Sequence, residues 1–233
     1  MTETATDAIE PGSAPWWDAH SERLRRRRPR AGGLTVERIV DEAIDLVDAE
    51  GLDALTVRAL TARLGTSSAT LYRHVASVEE LLVLVIDRVL GDIELPDPDR
   101  SGRDRTMQLA IEFRRVLLEH PGVVPALRAA PLLGPNALRS AANGLANLVD
   151  AGYPPAVATQ GYLAIVDYIL GSAFFDTAGV VDRRTDHGVG LEPSFFTAQR
   201  AAVDGVTADD VFRFAITALL DGLDAAAAAE RTH

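Results

Sequence analysis

Apolar residues recur at helical spacing through residues 35–90, and each run is bounded by a helix-capping residue or a glycine. The first run lies between Thr35 and Gly51, and its apolar stripe comprises Val36, Ile39, Val40, Ala43, Ile44 and Val47. Thr35 is a good N-cap, and Gly51 can adopt the positive φ that closes a helix. The pattern therefore predicts an amphipathic helix over residues 36–50.

Two shorter helices follow, joined by a glycine turn. Thr56 is the next N-cap, and its apolar run of Val57, Leu60 and Leu64 stops at Gly65. Ser67 or Ser68 can then cap a third helix whose Leu71 and Val75 face inward. This arrangement predicts a helix-turn-helix.

A fourth helix is predicted to begin after Ser77. Glu80 stands three residues later, as the reciprocal partner in a capping box requires. The core positions are Leu81, Leu82, Val85, Ile86, Val89 and Leu90.

The exposed face of residues 68–74 has the chemistry to read DNA. An α-helix fits the major groove, where every base pair presents a distinct set of donors, acceptors and methyl groups. Ser68, Thr70 and Arg73 are the predicted base contacts, with a forked pair of hydrogen bonds from Arg73 to guanine. Arg58 is expected to contact either a guanine or a phosphate.

The stretch TVRALTARLGTSSATLYRHVASVEELL resembles the DNA-binding signature of the tetracycline-repressor-like (TetR) family of bacterial transcription regulators. The resemblance implies an all-α fold, with an N-terminal three-helix helix-turn-helix head and a larger helical C-terminal ligand-binding and dimerisation domain. The expected divisions are an arm at 1–34, the head at 35–90 and the body at 91–233. Near the end, FRFAITALLDGLDAAAA is similar to the last helix of the family, which builds half of a dimer interface.

The resemblance also implies roles for side chains at the edge of the groove. It puts Tyr72 and His74 there, so that these two residues, with Thr56 and Thr66, suit phosphates and set the register on DNA. The alternative for Tyr72 and His74 is packing within the head. The full predicted DNA-binding set is Thr56, Arg58, Thr66, Ser68, Ala69, Thr70, Tyr72, Arg73 and His74.

Charge is distributed in a way that suits this division. The formal net charge is −11, which argues against a generally basic, nonspecific DNA-binding protein. Residues 21–90 nevertheless hold 11 arginines and 11 acidic residues, whereas residues 91–233 hold 12 arginines and 19 acidic residues. The acidic surplus therefore lies outside the predicted head.

Residues 1–34 are predicted to form a mobile arm with consecutive arginines at positions 25–28. Two interpretations stay open, an arm that contacts phosphates or the minor groove and a solvated charged tail. Trp16 and Trp17 are expected to begin a short helical turn after Pro15. Val78 stands where the family often has a basic residue, and we hypothesise that the arginines of residues 25–30 compensate.

The remaining chain is predicted to be helical after a proline-rich break at residues 93–102. Helices are expected at 103–120, 135–151, 154–175 and 207–229, with a shorter piece at 121–130, a loop at 178–191 and a short helix at 192–202. The helices at 154–175 and 207–229 are the predicted dimerisation helices. A short recognition helix covers few bases, so a homodimer on a pseudo-palindromic double-stranded operator is expected, with half-sites about 34 Å apart.

By resemblance, a small-molecule effector enters a cavity in the body and lowers DNA affinity by favouring a different spacing of the heads. Its predicted contacts, each with core packing or surface exposure as the alternative, are Phe113, His120, Asn143, Asn147, Tyr162, Asp167, Tyr168 and Phe174. The stretch VVPALRAAPLLG lacks the histidine that helps tetracycline-binding members hold the drug's magnesium. Neither tetracycline nor a metal or other cofactor is predicted.

Two other function classes are less well supported. An enzyme would need a phosphate-binding glycine loop, a nucleophile elbow or closely spaced metal ligands, and the sequence has none of these motifs. A nonspecific architectural DNA-binding protein conflicts with the acidic charge. The absence of cysteine excludes disulfides and thiol sensing, and the acidic first twenty residues do not form a secretory signal. A cytoplasmic protein with no membrane partner is expected.

Overall fold

The computed structural model describes residues 9–26, 33–128, 130–177 and 206–230. Within these ranges the secondary structure is helical, without strands, which confirms the all-α prediction. The α-helices are α1 (Ala14–Arg26), α2 (Val36–Glu50), α3 (Val57–Leu64), α4 (Ser68–Leu71), α5 (Val78–Leu90), α6 (Gly102–Glu119), α7 (Pro135–Asp150), α8 (Pro155–Thr177) and α9 (Ala208–Glu230). Short 3₁₀ helices occur at Leu52–Ala54 and Val124–Arg128.

The helix ends in the first part of the chain follow the predicted capping chemistry. Thr35 Oγ1 accepts a hydrogen bond from Arg38 N at 3.2 Å, and α2 has the predicted bounds. Thr56 Oγ1 accepts from Ala59 N at 3.2 Å, so α3 also begins where expected. Gly51, which follows α2, has a φ of +86°.

Two compact units divide the chain differently from the predicted boundary at residue 90. The first unit comprises the described residues up to Ile93 together with Glu119–Ala142. The second comprises Glu94–Leu118 and the described residues from Asn143 onward. Helix α7 therefore begins in the first unit and ends in the second.

The first unit has its core where α2 packs against α3 and α5. Fully buried aliphatic side chains from these helices fill it, among them Ile39, Leu46, Leu60 and Leu90. Burial of such side chains stabilises a fold by about 1.5–3 kcal/mol each, so this cluster fixes the relative orientation of the helices.

Within the first unit, two aspartates hold residues 119–142 against α2 and α5. Asp48 of α2 accepts a hydrogen bond from Gly122 N at 3.2 Å, and its Oδ2 lies 2.7 Å from His120 Nδ1. Asp87 of α5 accepts hydrogen bonds from Asn136 N and Ala137 N at 3.0 and 3.1 Å. The first turn of α7 is thus capped by a side chain of α5.

The predicted mobile arm contains a packed helix. Helix α1 occupies Ala14–Arg26, and the side chains of Trp16, Trp17 and His20 are buried. Residues 1–8 and 27–32 lie outside the described part, including two of the consecutive arginines. The difference at Ala14–Arg26 has a simple cause, because burying two indole rings favours a docked helix over a solvated chain.

In the second unit, α8 packs against α9 and polar contacts fix their register. Tyr153 Oη donates to Asp224 Oδ1 at 2.7 Å, while buried Arg114 contacts Asp176 and Asp209 at 2.8 and 2.6 Å. Helices α6 to α9 confirm the predicted helices to within two residues at each end. The predicted loop at 178–191 and short helix at 192–202 lie outside the described residues.

Candidate nucleic-acid interface

The turn between α3 and α4 is built by local hydrogen bonds and one left-handed glycine. Gly65 has φ +62° and ψ +37°, which end α3 in the conformation that glycine adopts most readily. Ser67 Oγ then accepts from Thr70 N at 3.2 Å and caps α4. Of the two serines proposed as the cap, Ser67 therefore has this role.

Helix α4 and the turn after it, residues 68–75, form what we call the recognition segment. Hydrogen bonds from His74 N and Val75 N to Leu71 O continue its helical path beyond Leu71. Leu71 and Val75 are each 2% exposed and attach one face to the core. On the opposite face Ser68, Ala69, Tyr72 and Arg73 are exposed to solvent.

Polar side chains on this exposed face contact each other. Arg73 Nη2 donates to Thr70 Oγ1 at 3.0 Å, and Thr70 Oγ1 lies 3.0 Å from Ser67 Oγ. The guanidinium is thereby held over the recognition segment. Such a fork can bind a guanine edge or a phosphate with two parallel hydrogen bonds.

All nine predicted DNA-binding residues lie within Thr56–His74, and none of them is buried. Thr66, Thr70 and His74 are partly exposed, while the other six are exposed, with Tyr72 at 51%. The Tyr72 ring is therefore not a core side chain of the head. Within the described residues, Arg58 has no acidic side chain within ion-pair distance, in contrast to Arg63, which contacts Glu42 at 2.5 Å.

The predicted capping box at α5 takes a different form. Ser77 Oγ accepts from Glu80 N at 3.1 Å as expected. Glu80 Oε2, however, accepts from Ala76 N at 3.1 Å rather than from the N–H of Ser77. The carboxylate therefore holds the residue directly after the recognition segment, which a sequence motif for helix caps does not reveal.

Helix α1 lies near this site and is longer than the short helical turn expected at Trp16 and Trp17. A cleft with a volume of about 120 Å³ is lined by residues of α1 and of the recognition segment together. Its walls are His20, Arg23, Leu24, Val36, Tyr72, Arg73, His74, Ala76 and Glu80. The available signal was the helical spacing of Trp16, Trp17, His20 and Leu24 behind Ser13 and Pro15.

Three of the eight predicted effector contacts cluster in the second unit. Asn147 Nδ2 donates to Asn143 Oδ1 at 3.0 Å. The Tyr162 ring lies against Gly144, where a Cβ atom would stand 3.0 Å from Cε2. Burial raises the pKa of the Tyr162 hydroxyl. Asn147 is fully buried, and its Oδ1 has no hydrogen-bond partner among the described residues.

The other five predicted effector contacts are dispersed. His120 belongs to the first unit and contacts Asp48, so its imidazole has a structural partner. Asp167 is exposed on α8, and Tyr168 stacks on Phe212 with ring centroids 5.6 Å apart. Phe113 is buried, and Phe174 meets Phe175 edge to face.

Acidic and histidine side chains do not gather into a metal-binding group of three or more anywhere in the described ranges. None of the helices described has the length and apolar character needed to span a bilayer.

Comparison with known proteins identifies both parts of the chain. Residues 39–85 match a family profile described as bacterial regulatory proteins of the tetR family, and residues 95–227 match one described as the tetracyclin repressor-like C-terminal domain. An HTH-type transcriptional regulator of Saccharopolyspora erythraea is 35% identical over 172 residues, which cover 73% of this chain and 70% of the relative. The transcriptional repressor DrrR1 of Streptomyces coeruleorubidus is 28% identical over an alignment that spans 92% of this chain and 85% of DrrR1.

Solved structures agree with the sequence relatives. Apo ActR from Streptomyces coelicolor superposes with a TM-score of 0.74 at 28% identity, covering 86% of this chain and all of ActR. The complex of ActR with actinorhodin gives a TM-score of 0.71 at 26% identity and covers 84% of this chain and 98% of ActR. The helix-turn-helix, the all-α architecture and the matched profiles together establish that this chain belongs to the TetR family of bacterial transcriptional regulators.

Proposed function

We propose that this protein is a sequence-specific repressor that binds a pseudo-palindromic operator as a homodimer and releases it on binding a small molecule. The observation that carries the proposal is the recognition segment, whose polar face is exposed while Leu71 and Val75 attach it to the core. The names of DrrR1, a repressor, and of ActR in complex with actinorhodin support repression and effector binding. Its place of action is the cytoplasm, where bacterial DNA lies.

Side-chain chemistry supports the following division of roles at the operator. Ser68, Thr70 and Arg73 read base edges, since hydroxyls and a guanidinium can discriminate donor and acceptor patterns. The exposed Ala69 methyl suits contact with a thymine methyl. Arg58 contacts a guanine or a phosphate. The remaining residues, Thr56, Thr66, Tyr72 and His74, contact phosphates and fix the register.

The test is the loss of sequence discrimination when Arg73 is truncated. A duplex is first selected from random DNA by the wild-type protein, and its affinity is compared with that of a scrambled duplex. Arg73→Ala should lower operator affinity by about 1–3 kcal/mol, or roughly 5- to 150-fold, and leave scrambled DNA nearly unchanged. Arg100→Ala, which removes an exposed arginine outside the first unit, is the matched control. Equal binding of both duplexes by the wild type would instead identify a nonspecific DNA-binding protein.

Exposed apolar side chains on α8 and α9 support homodimerisation through these helices. Leu163 and Phe175 of α8 are 55% and 46% exposed, and Val211 and Phe214 of α9 are 49% and 75% exposed. Apolar side chains exposed together on two packed helices are typical of a surface that a partner covers. Two copies would bring four helices together in one bundle.

Sedimentation velocity of two charge variants tests this surface. Phe214→Glu should convert the dimer to a monomer because it puts two carboxylates into a desolvated interface. Val149→Glu is the control, since Val149 of α7 is also about half exposed, at 51%, but lies on neither α8 nor α9. A Phe214→Glu protein that sediments as the wild type would refute the assignment.

The effector site is proposed around Asn143, Asn147 and Tyr162. The buried and unpaired Oδ1 of Asn147 suits a ligand that donates a hydrogen bond, because an unsatisfied buried acceptor costs about 1–3 kcal/mol. The Tyr162 ring, which packs directly on Gly144, supplies an aromatic wall beside these asparagines and favours a largely apolar molecule. We therefore expect an aromatic effector that carries at least one hydroxyl group.

Helix α7 links this site to the DNA-binding unit. Asn143 and Asn147 lie in its second half, while Asp87 of α5 caps its first turn. A ligand that displaces α7 would act on α5 through Asp87. The coupling free energy would equal the difference between the ligand's binding free energies for the operator-binding and the operator-releasing conformations. Asn147→Leu should retain operator binding but lose release by a ligand identified by mass spectrometry of the purified protein. Normal release would remove Asn147 from the site.

A further inference from the structure

Buried aromatic side chains fix α1 against the first unit. The exposed fractions are 5% for Trp16, 9% for Trp17 and 6% for His20. The Trp16 ring stacks on His20 and meets Trp17 edge to face, with centroids 4.8 and 4.9 Å apart. Because these rings anchor the helix, its polar side chains have defined positions.

Glu80 connects α1 to the recognition segment. Its carboxylate is 4% exposed, accepts from Ala76 N at 3.1 Å and accepts from Arg23 Nη2 at 3.4 Å. One buried carboxylate therefore holds both the residue that follows the recognition segment and an arginine of α1. Only the Glu80 end of this pair is buried, so the contact places Arg23 beside the recognition segment and leaves the other side of its guanidinium open to solvent.

The cleft between α1 and the recognition segment has the size and chemistry of an anion site. Its volume of about 120 Å³ exceeds the roughly 30 Å³ that one liquid water occupies, which leaves room for a phosphate group with a bridging water. Two arginines line it, Arg23 and Arg73, together with His20 and His74. The single lining carboxylate, Glu80, already accepts from Arg23 and from Ala76 N.

We propose that α1 is a second DNA-contacting element, in which Arg23 binds a backbone phosphate of the operator beside the nucleotides contacted by Tyr72, Arg73 and His74. This inference rests on the proposed function, because a duplex seated on Arg73 brings its backbone to the cleft that Arg73 shares with Arg23. The Arg23 side chain is 51% exposed. Its contacts with Glu80 and His20 are made by Nη2, so Nε and Nη1 can donate to a phosphate.

The last turn of α1 extends this positive surface. Arg25 and Arg26 are exposed, and the contact of Arg26 with Glu22 is a surface ion pair, which contributes little stability and exchanges readily. These two side chains would contact the same strand beyond Arg23. The operator would then extend past the bases read by the recognition segment.

The experiment pairs an arginine variant with single uncharged phosphates. The probe is the duplex selected by the full-length wild-type protein, in which one flanking phosphate at a time is replaced by methylphosphonate. The wild type should bind less tightly when one particular flanking phosphate of each half-site is replaced. Arg23→Gln should bind the unmodified duplex less tightly than the wild type does, and the same replacement should not weaken its binding further. The slope of log K against log salt should fall by about 1.8 for a dimer that loses two contacts.

Matched variants separate direct contact from a structural effect. Arg100→Gln removes the same charge outside the first unit and should behave as the wild type, and Arg23→Lys should restore most of the salt slope. Tryptophan emission reports whether α1 stays docked, since both tryptophans of the chain lie in it. If Arg23→Gln shifts this emission, the double variant Arg25→Gln/Arg26→Gln, which changes two exposed side chains, is measured on the same methylphosphonate duplexes instead.

The possible outcomes distinguish this inference from the function on which it rests. If the wild type selects no preferred sequence, the proposed function fails and the inference fails with it. If selection succeeds but the Arg23 and paired arginine variants match Arg100→Gln at every methylphosphonate, the contact by α1 is refuted while the regulator function stands. A position-specific loss that disappears in an arginine variant supports the proposal.

Discussion

Replacing Asp87 tests how the first turn of α7 is held. This side chain is 6% exposed and accepts from Asn136 N, Ala137 N and Asn136 Nδ2 at 3.0, 3.1 and 3.1 Å. Loss of a helix cap costs about 0.5–2 kcal/mol, and an orphaned buried N–H group costs about 1–3 kcal/mol. Relief of the buried negative charge offsets part of this loss. We expect Asp87→Ala to lower the free energy of unfolding by about 2 kcal/mol.

Urea unfolding followed by tryptophan fluorescence measures the effect, because both tryptophans are buried in the unit that contains Asp87. A loss of this size moves the midpoint by about 1 M for a typical urea dependence. Asp99→Ala, at an exposed site, is the control and should change the free energy by less than about 0.5 kcal/mol. Equal midpoints for the two variants would refute the anchoring role of Asp87.

The pH dependence gives a second test of Asp87. Burial raises the pKa of its carboxyl, although hydrogen bonds from Ala137 and Asn136 act in the opposite direction. The folded chain therefore retains this proton at pH values where the unfolded chain has lost it. The contribution of Asp87 to the free energy of unfolding must then fall as pH rises from about 4 through the folded-state pKa. The difference between wild type and Asp87→Asn should show this fall, and a difference that increases with pH would contradict it.

Three further substitutions test packing and backbone geometry by thermal unfolding. Gly65→Ala should cost about 1–2 kcal/mol, since the position has a φ of +62° but open space around a new Cβ. Gly122→Ala should be the more destabilising of the two, because its Cβ would clash with the carbonyl oxygen of Val47, and equal losses would contradict this ordering. Tyr153→Phe should cost about 1 kcal/mol by removing the hydrogen bond to Asp224, and an unchanged melting temperature would show that this bond contributes little.

Local chemistry made the head predictable from the sequence. The caps at Thr35, Thr56 and Ser77 bond to N–H groups three residues away, and Gly65 sets the turn by its own backbone conformation. Because both partners of each contact are neighbours in the chain, their spacing is visible in the sequence. The exposed face of the recognition segment follows from the same helical period.

Tertiary structure decided which segments join that head. The sequence separates Asp48 from Gly122 and Asp87 from Asn136 by 74 and 49 positions, yet these pairs attach residues 119–142 to the first unit. The position of α1, and the cleft between Arg23 and Arg73, depend likewise on Glu80, 57 positions from Arg23. No local pattern encodes such pairs, since they form only when packing of the apolar stripes reverses the chain and brings distant side chains together. The sequence by itself therefore determined the helices and the reading face, and long-range packing determined their neighbours.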